Sequence, residues 1–247
     1  MSHSEIVLFV GLGAVVGFAG GSFAIGGALI AIPLLTAGFG FTQHDSQGTA
    51  MVMALASATV TLLIYARKKL LRVRDGLIMT AGSTALGLAS SQMVRYVNDR
   101  VLQRGFGAFL IVLAVLVWFG HLGEGDRDSP LSAPVQIGIG SLAGALSGLF
   151  VVGGALSVPL LERAAGYSQQ RAQAMVLLML VPASAIGLVV YSSAGYVRWE
   201  DALALALGAV PLAPLGTRTA LAMKARLLRR SFAVVQAGAG LLLVAGR

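Results

Sequence analysis

GLGAVVGFAGGSFAIGGAL, residues 11–29, returns as GIGSLAGALSGLFVVGGAL at residues 138–156, with nine of nineteen positions identical at a constant offset of 127. One residue is then lost, and an offset of 126 holds from there on. Pro33, Leu34 and Leu35 match Pro159, Leu160 and Leu161, and GFTQHDSQ (40–47) matches GYSQQRAQ (166–173). Further on, Tyr65, Arg72, Asp75 and Gly82 match Tyr191, Arg198, Asp201 and Gly208. Apolar low-complexity sequence can mimic a few such matches, but it would not hold one register across loops. The chain is a duplication, and a repeat of this kind has to be read before any local structure.

Composition says where the two copies live. Hydrophobic residues make up 57% of the 247 and charged residues only 11%. Soluble domains carry roughly 25% charged residues to hold their surface in water. Uncharged runs cover 6–37, 46–66, 105–120, 129–161 and 172–197, and ~20 apolar residues in a helix cross a bilayer. The net charge of +8 reads as loop charge that orients a membrane protein, and nucleic acid is not a partner. Cysteine is absent, which excludes thiol catalysis, disulfides and thiolate metal sites. No Walker A motif is present, the three histidines are scattered, and no constellation for catalysis is visible. We expect no enzyme activity, no metal and no cofactor. The first residues, MSHSEIVLFV, lack a basic region and carry Glu5, so the first apolar segment is expected to stay in the mature protein.

Each copy has the same parts. A long Gly-rich segment (6–37; 134–161) is followed by three ordinary helices, at 44–66, 75–97 and 102–122 and again at 169–193, 200–222 and 227–246. The polar stretch 120–133 separates a first repeat, 1–119, from a second, 134–247. A continuous helix over 6–37 would be ~48 Å long against a hydrocarbon core of ~30 Å. It must therefore tilt steeply or break, and Gly26-Gly27 and Gly153-Gly154 mark the break. If each Gly-rich segment returns to the side it entered, each copy crosses an odd number of times and the copies are inverted. Loops 67–74, 120–133, 162–171 and 218–230 then share one side with 13 of the 18 basic residues. Single crossings give at best ten against eight, so the positive-inside rule favours the broken, inverted form. The expected fold is an all-α integral membrane protein of two inverted repeats. Each repeat is a broken, re-entrant helix pair plus three transmembrane helices, an architecture that recurs among secondary transporters.

A break inside the membrane frees backbone groups that lipid cannot satisfy. Gly26, Gly27, Gly153 and Gly154 are accordingly the first candidates for contact with a solute, since glycine permits a turn that points amides inward. The following helices would aim their positive N-termini there, which suits an anion; tight helix packing is the alternative use. Ser22 and Ser147 lie close enough to add hydroxyls or to make packing hydrogen bonds. Gln47 and Gln173 are equivalent positions whose amides can serve a solute oxygen or a neighbouring helix. Thr42 and Ser168 read as N-caps, and Asp45 as the third residue of a capping box. His44 with Asp45 is the one pairing suited to proton coupling. Tyr65 and Tyr191, at helix ends, read as interfacial anchors, and Arg95 and Arg218 as snorkelling cations. Deep acidic residues are nearly absent.

The pattern GxxGGSFAIGGALIAIPLL (17–35) and its weaker copy GxxSGLFVVGGALSVPLL (144–161) resemble the TauE/SafE family of membrane permeases. The resemblance extends over nearly the whole chain. It implies transport of a small anion such as sulfite or an organosulfonate across a bacterial inner membrane, in either direction, and export is the direction expected. The expected partners are that anion and the lipid bilayer, with a homodimer as the possible assembly. An anion channel and a non-transporting membrane scaffold that recruits a partner through its basic loops are the alternatives.

Overall fold

The computed structural model describes residues 2–24, 26–119 and 131–245; most of the stretch read as a linker, 120–130, lies outside them. Ten α-helices follow one another among the described residues. The first copy contributes α1 (His3–Phe23), α2 (Ala28–Pro33, continued by a π-turn to Gly38), α3 (Gln43–Arg67), α4 (Val73–Met93) and α5 (Asp99–Phe119). The second contributes α6 (Ala133–Phe150), α7 (Gly154–Ala165), α8 (Gln169–Ser193), α9 (Trp199–Ala222) and α10 (Ala225–Ala245). Six of them, α1, α3, α5, α6, α8 and α9, are long and apolar enough to cross a membrane. The helices start where side chains satisfy their first free N–H groups. Ser2 and Glu5 form a capping box on α1, Thr42 accepts from the Asp45 amide, and Ser168 accepts from the Arg171 amide.

The two copies interleave. The first helix of each lies along the fourth element of the other, α1 on α9 and α6 on α4, and small residues set both contacts. Gly13, Gly17 and Gly21 press onto the backbone of Leu205, Ala209 and Ala213; Gly140 and Gly144 press onto Met79 and Ser83. A Cβ at any of these would overlap a carbonyl, so the four-residue glycine spacing is what lets the helix axes approach. Residue numbers rise together along both contacts, so each pair runs parallel.

Other contacts fix the remaining directions. Thr49 meets the start of α9 and Thr61 meets Thr217, so α3 runs with α9. Arg72 meets Met175 and Arg95 meets Ser193, so α4 runs with α8. Between α3 and α8 the order reverses, Tyr65 reaching Gln173 and Tyr191 reaching Gln47. The bundle thus has an upper end, with the starts of α1, α3, α5 and α9, and a lower end, with the starts of α4, α6, α8 and α10. The chain between α1 and α3 leaves the upper end, turns within the bundle and returns: Glu5, Phe41 and Arg198 line one cavity there. The chain between α6 and α8 does the same at the lower end, where Gln136, Tyr167 and Asp75 meet.

Candidate functional site

The two turns inside the bundle are built differently. In the first, α1 ends on Ala24 in the left-handed region (φ 56°), and Gly26 and Gly27 follow at φ 69° and 85°. Glycine suits this turn by handedness and by space, since a Cβ on Gly26 or Gly27 would lie within 3 Å of the Ala54 or Val16 carbonyl. The Gly26 carbonyl accepts a hydrogen bond from Ser57 Oγ at 2.9 Å. In the second turn the left-handed residue is Val151 (φ 62°), and Gly153 is right-handed (φ −55°). Glycine there is a matter of space: a Cβ on Gly153 would overlap the Ala143 carbonyl. Gly26 and Gly27 use glycine's freedom of φ, and Gly153 does not.

Ser147 and Gly153-Gly154 line a void of about 10 Å³ together with Leu180, which is about the least that admits one water. Leu180 also belongs to the apolar cluster that holds Ala24, so α8 joins the two turns. Ser22 is spoken for, its hydroxyl donating to Phe18 and Gly216 carbonyls at 2.9 and 3.2 Å.

Gln47 and Gln173 are both buried and both already oriented. Tyr191 Oη donates to Gln47 Oε1, and Tyr65 Oη donates to Gln173 Oε1, each at 2.8 Å. Tyr65 and Tyr191 are thus not interfacial anchors; they are 0% and 1% exposed. Each crosses to the other copy, because a phenol buried between helices needs a hydrogen-bond partner. The bond leaves Gln47 Nε2 buried with no acceptor, as is Nε2 of Gln43 one turn earlier. Gln43 and its counterpart Gln169 escaped the sequence reading, although their identity within the matched octapeptides was the available signal.

His44 does not pair with Asp45. Its Nδ1 lies 2.8 Å from Asp99 Oδ1 and its Nε2 lies 3.1 Å from the Val94 carbonyl, while Tyr196 packs on the ring at 4.7 Å. The Asp99 carboxylate comes from the start of α5, 55 residues away, a distance no local pattern bridges. Arg95 donates to Ser193 Oγ at 2.9 Å, tying the same connection to α8. A deep carboxylate is also present. Glu162 was placed in a loop, but α7 runs on to Ala165 and buries it to 4% exposure. It lines a cavity of about 30 Å³ with Gln169, Gln173 and Phe23.

The positions matched in sequence make similar contacts at the two ends. At the upper end Arg198 lies 3.9 Å over the Phe41 ring and pairs with Asp201 at 2.7 Å. At the lower end Arg72 lies 5.6 Å over the Tyr167 ring and pairs with Asp75 at 3.7 Å. Burial and the Asp75 carboxylate push the Tyr167 phenol above its ordinary range, so it keeps its proton and acts as the donor.

Comparison with known proteins points to a membrane protein. The chain is 27% identical over 243 residues to a probable membrane transporter protein of Xylella fastidiosa, covering 95% of this chain and 93% of that one. It is 26% identical over 231 residues to one from Bacillus subtilis, covering 83% and 85%. A third, from Methanocaldococcus jannaschii, is 25% identical over 228 residues, covering 85% of each. No solved structure matches the chain. The model of the sulfite exporter TauE/SafE family matches residues 9–243, and the chain is a multi-pass membrane protein that belongs to that family.

Proposed function

We propose that the chain is a secondary transporter of a bacterial inner membrane. It exports a small oxyanion, sulfite or an organosulfonate, by alternating access between two inverted copies. The observation that carries this reading is the pair of buried side-chain amides at Gln43 and Gln47, whose Nε2 atoms have no hydrogen-bond partner among the described residues. Donors stranded inside a lipid-embedded bundle cost several kcal/mol each unless something accepts from them, and an anion does so without a buried cation. The inverted reading draws on helix direction, since α1 and α3 run one way and their counterparts α6 and α8 the other. The void of about 10 Å³ at the second turn is too small for any oxyanion, which favours a moving carrier over an open channel. Ser147, Gln173 and Gly154 complete the proposed lining, and His44 with Asp99, rather than Asp45, is the pair available for proton coupling.

The test is reconstitution into liposomes with sulfite, sulfate, thiosulfate, taurine and sulfoacetate, following flux and thermal stability together. Saturable flux of one of them, with a matching rise in melting temperature by mass action, is the expected result. Flux that never saturates would point to a channel. No flux and no shift for any of the five would end the oxyanion reading.

A further inference from the structure

The two ends of the bundle are equivalent by sequence but not by bonding. The offset of 127, carried two residues back from Gly11, makes Phe9 the counterpart of Gln136, and Phe41 is the counterpart of Tyr167. At the lower end Gln136 Nε2 donates to Asp75 Oδ1 at 3.2 Å, and Tyr167 Oη donates to Asp75 Oδ2 at 3.4 Å. Gln136 also donates to the Leu131 carbonyl at 2.8 Å. Both Gln136 and Tyr167 are buried, at 2% and 1% exposure. One carboxylate at the start of α4 thus gathers the start of α6 and the return of the re-entrant chain. At the upper end Phe9 and Phe41 stand in the same places with no polar atom to offer Asp201. They pack on each other at 6.2 Å, and a cavity of about 610 Å³ opens between them, Arg198 and Asp201.

We infer that Asp75, Gln136 and Tyr167 form a latch that holds the lower end shut, and that Phe9, Phe41 and Asp201 are its unlatched counterpart. The aromatic–arginine–aspartate core common to both ends guides the helix starts together, and the two polar donors decide which end stays closed at rest. The resting molecule is therefore biased toward an opening at the upper end. This inference rests on the alternating-access reading, and it assigns that motion a set of hydrogen bonds with a fixed asymmetry between the copies.

The chain has no cysteine, so single reporters are clean. Ala172→Cys probes the lower end, where Ala172 is buried in the same apolar cluster as Tyr167. Its repeat counterpart Ser46, also buried, gives Ser46→Cys for the upper end. With the full chain in detergent, maleimide labelling of both reporters is followed in the native background and in Gln136→Phe with Tyr167→Phe. Removing two donors to one carboxylate should raise labelling at Ala172→Cys roughly tenfold and lower it at Ser46→Cys, because opening one end draws population from the other. Tyr167→Phe alone should do the same to a smaller extent. The reciprocal variant, Phe9→Gln with Phe41→Tyr, leaves the lower latch intact and should shift labelling in the same sense by holding the upper end. Unchanged labelling at Ala172→Cys, or faster labelling at both reporters together, would overturn the latch, the latter because it reports loosening. Saturable anion flux with labelling indifferent to these changes would sink the latch and leave the transporter. Opposed labelling changes in a protein that moves none of the five anions would do the reverse.

Discussion

The two turns inside the bundle are copies in sequence but follow different backbone paths. In the first, handedness acts together with space: three residues, Ala24, Gly26 and Gly27, lie at positive φ, a Cβ on either glycine would meet a carbonyl, and Ser57 holds the Gly26 carbonyl. In the second, one left-handed residue, Val151, suffices, and the position equivalent to Ser57 is Ala183, which has no hydroxyl to give. Its glycine, Gly153, serves closeness alone, letting the turn lie on the Ala143 carbonyl. A repeated Gly-Gly pair is thus no guarantee of a repeated reason for glycine.

That difference can be broken by substitution. Gly153→Ala puts a methyl against a backbone carbonyl that cannot rotate away, and overpacking of that kind costs about 3 kcal/mol. Gly27→Ala meets the Val16 side chain and, at 2.9 Å, the Val16 carbonyl, a shallower overlap to which the left-handed conformation adds about 1–2 kcal/mol. Unfolding in denaturing detergent should still find Gly153→Ala, with the deeper overlap, the less stable of the two. The opposite order would mean that the left-handed conformation outweighs the overlap.

The crossed tyrosines give a smaller contrast of the same kind. Tyr191 Oη lies within reach of both Gln47 Oε1 and the Gly148 carbonyl, at 2.8 and 3.1 Å, whereas Tyr65 reaches Gln173 alone. Tyr191→Phe therefore strands two acceptors and should cost about 2 kcal/mol, against about 1 for Tyr65→Phe. Equal melting-temperature losses would show that the pair is symmetric in energy as well as in sequence.

What the sequence made legible is what depends on period, spacing and repeat. The helix limits came within a few residues of α3, α5, α8 and α9, because uncharged runs and capping residues are local signals. The turns fell where Gly-Gly interrupts an over-long segment. Partners were harder to see. Tyr65 and Gln173 are 108 residues apart and His44 and Asp99 are 55 apart, so nothing local links them. A tyrosine near a helix end looks like an interfacial anchor until its neighbours are known. Glu162 was misplaced for a related reason: Arg163 beside it argued for a loop, while the helix turns one side chain inward and the other outward.

The smallest expected effect isolates handedness from size. Ala24 and Val151 cap α1 and α6 in the same left-handed conformation, and both are buried. Replacing either by glycine removes about 1–2 kcal/mol of backbone strain and adds about 0.5–1 kcal/mol of unfolded-state freedom. Ala24→Gly also gives up one buried methyl, about 0.8 kcal/mol, so the three contributions nearly cancel and stability should move by less than about 0.5 kcal/mol. Val151→Gly gives up a whole buried isopropyl group, about 2 kcal/mol, and should be destabilised by about 1–2 kcal/mol on the same balance. A clear loss for Ala24→Gly as well would mean that the first turn depends on packing as the second does, and the contrast between the turns would then rest on Gly26 and Gly27 alone.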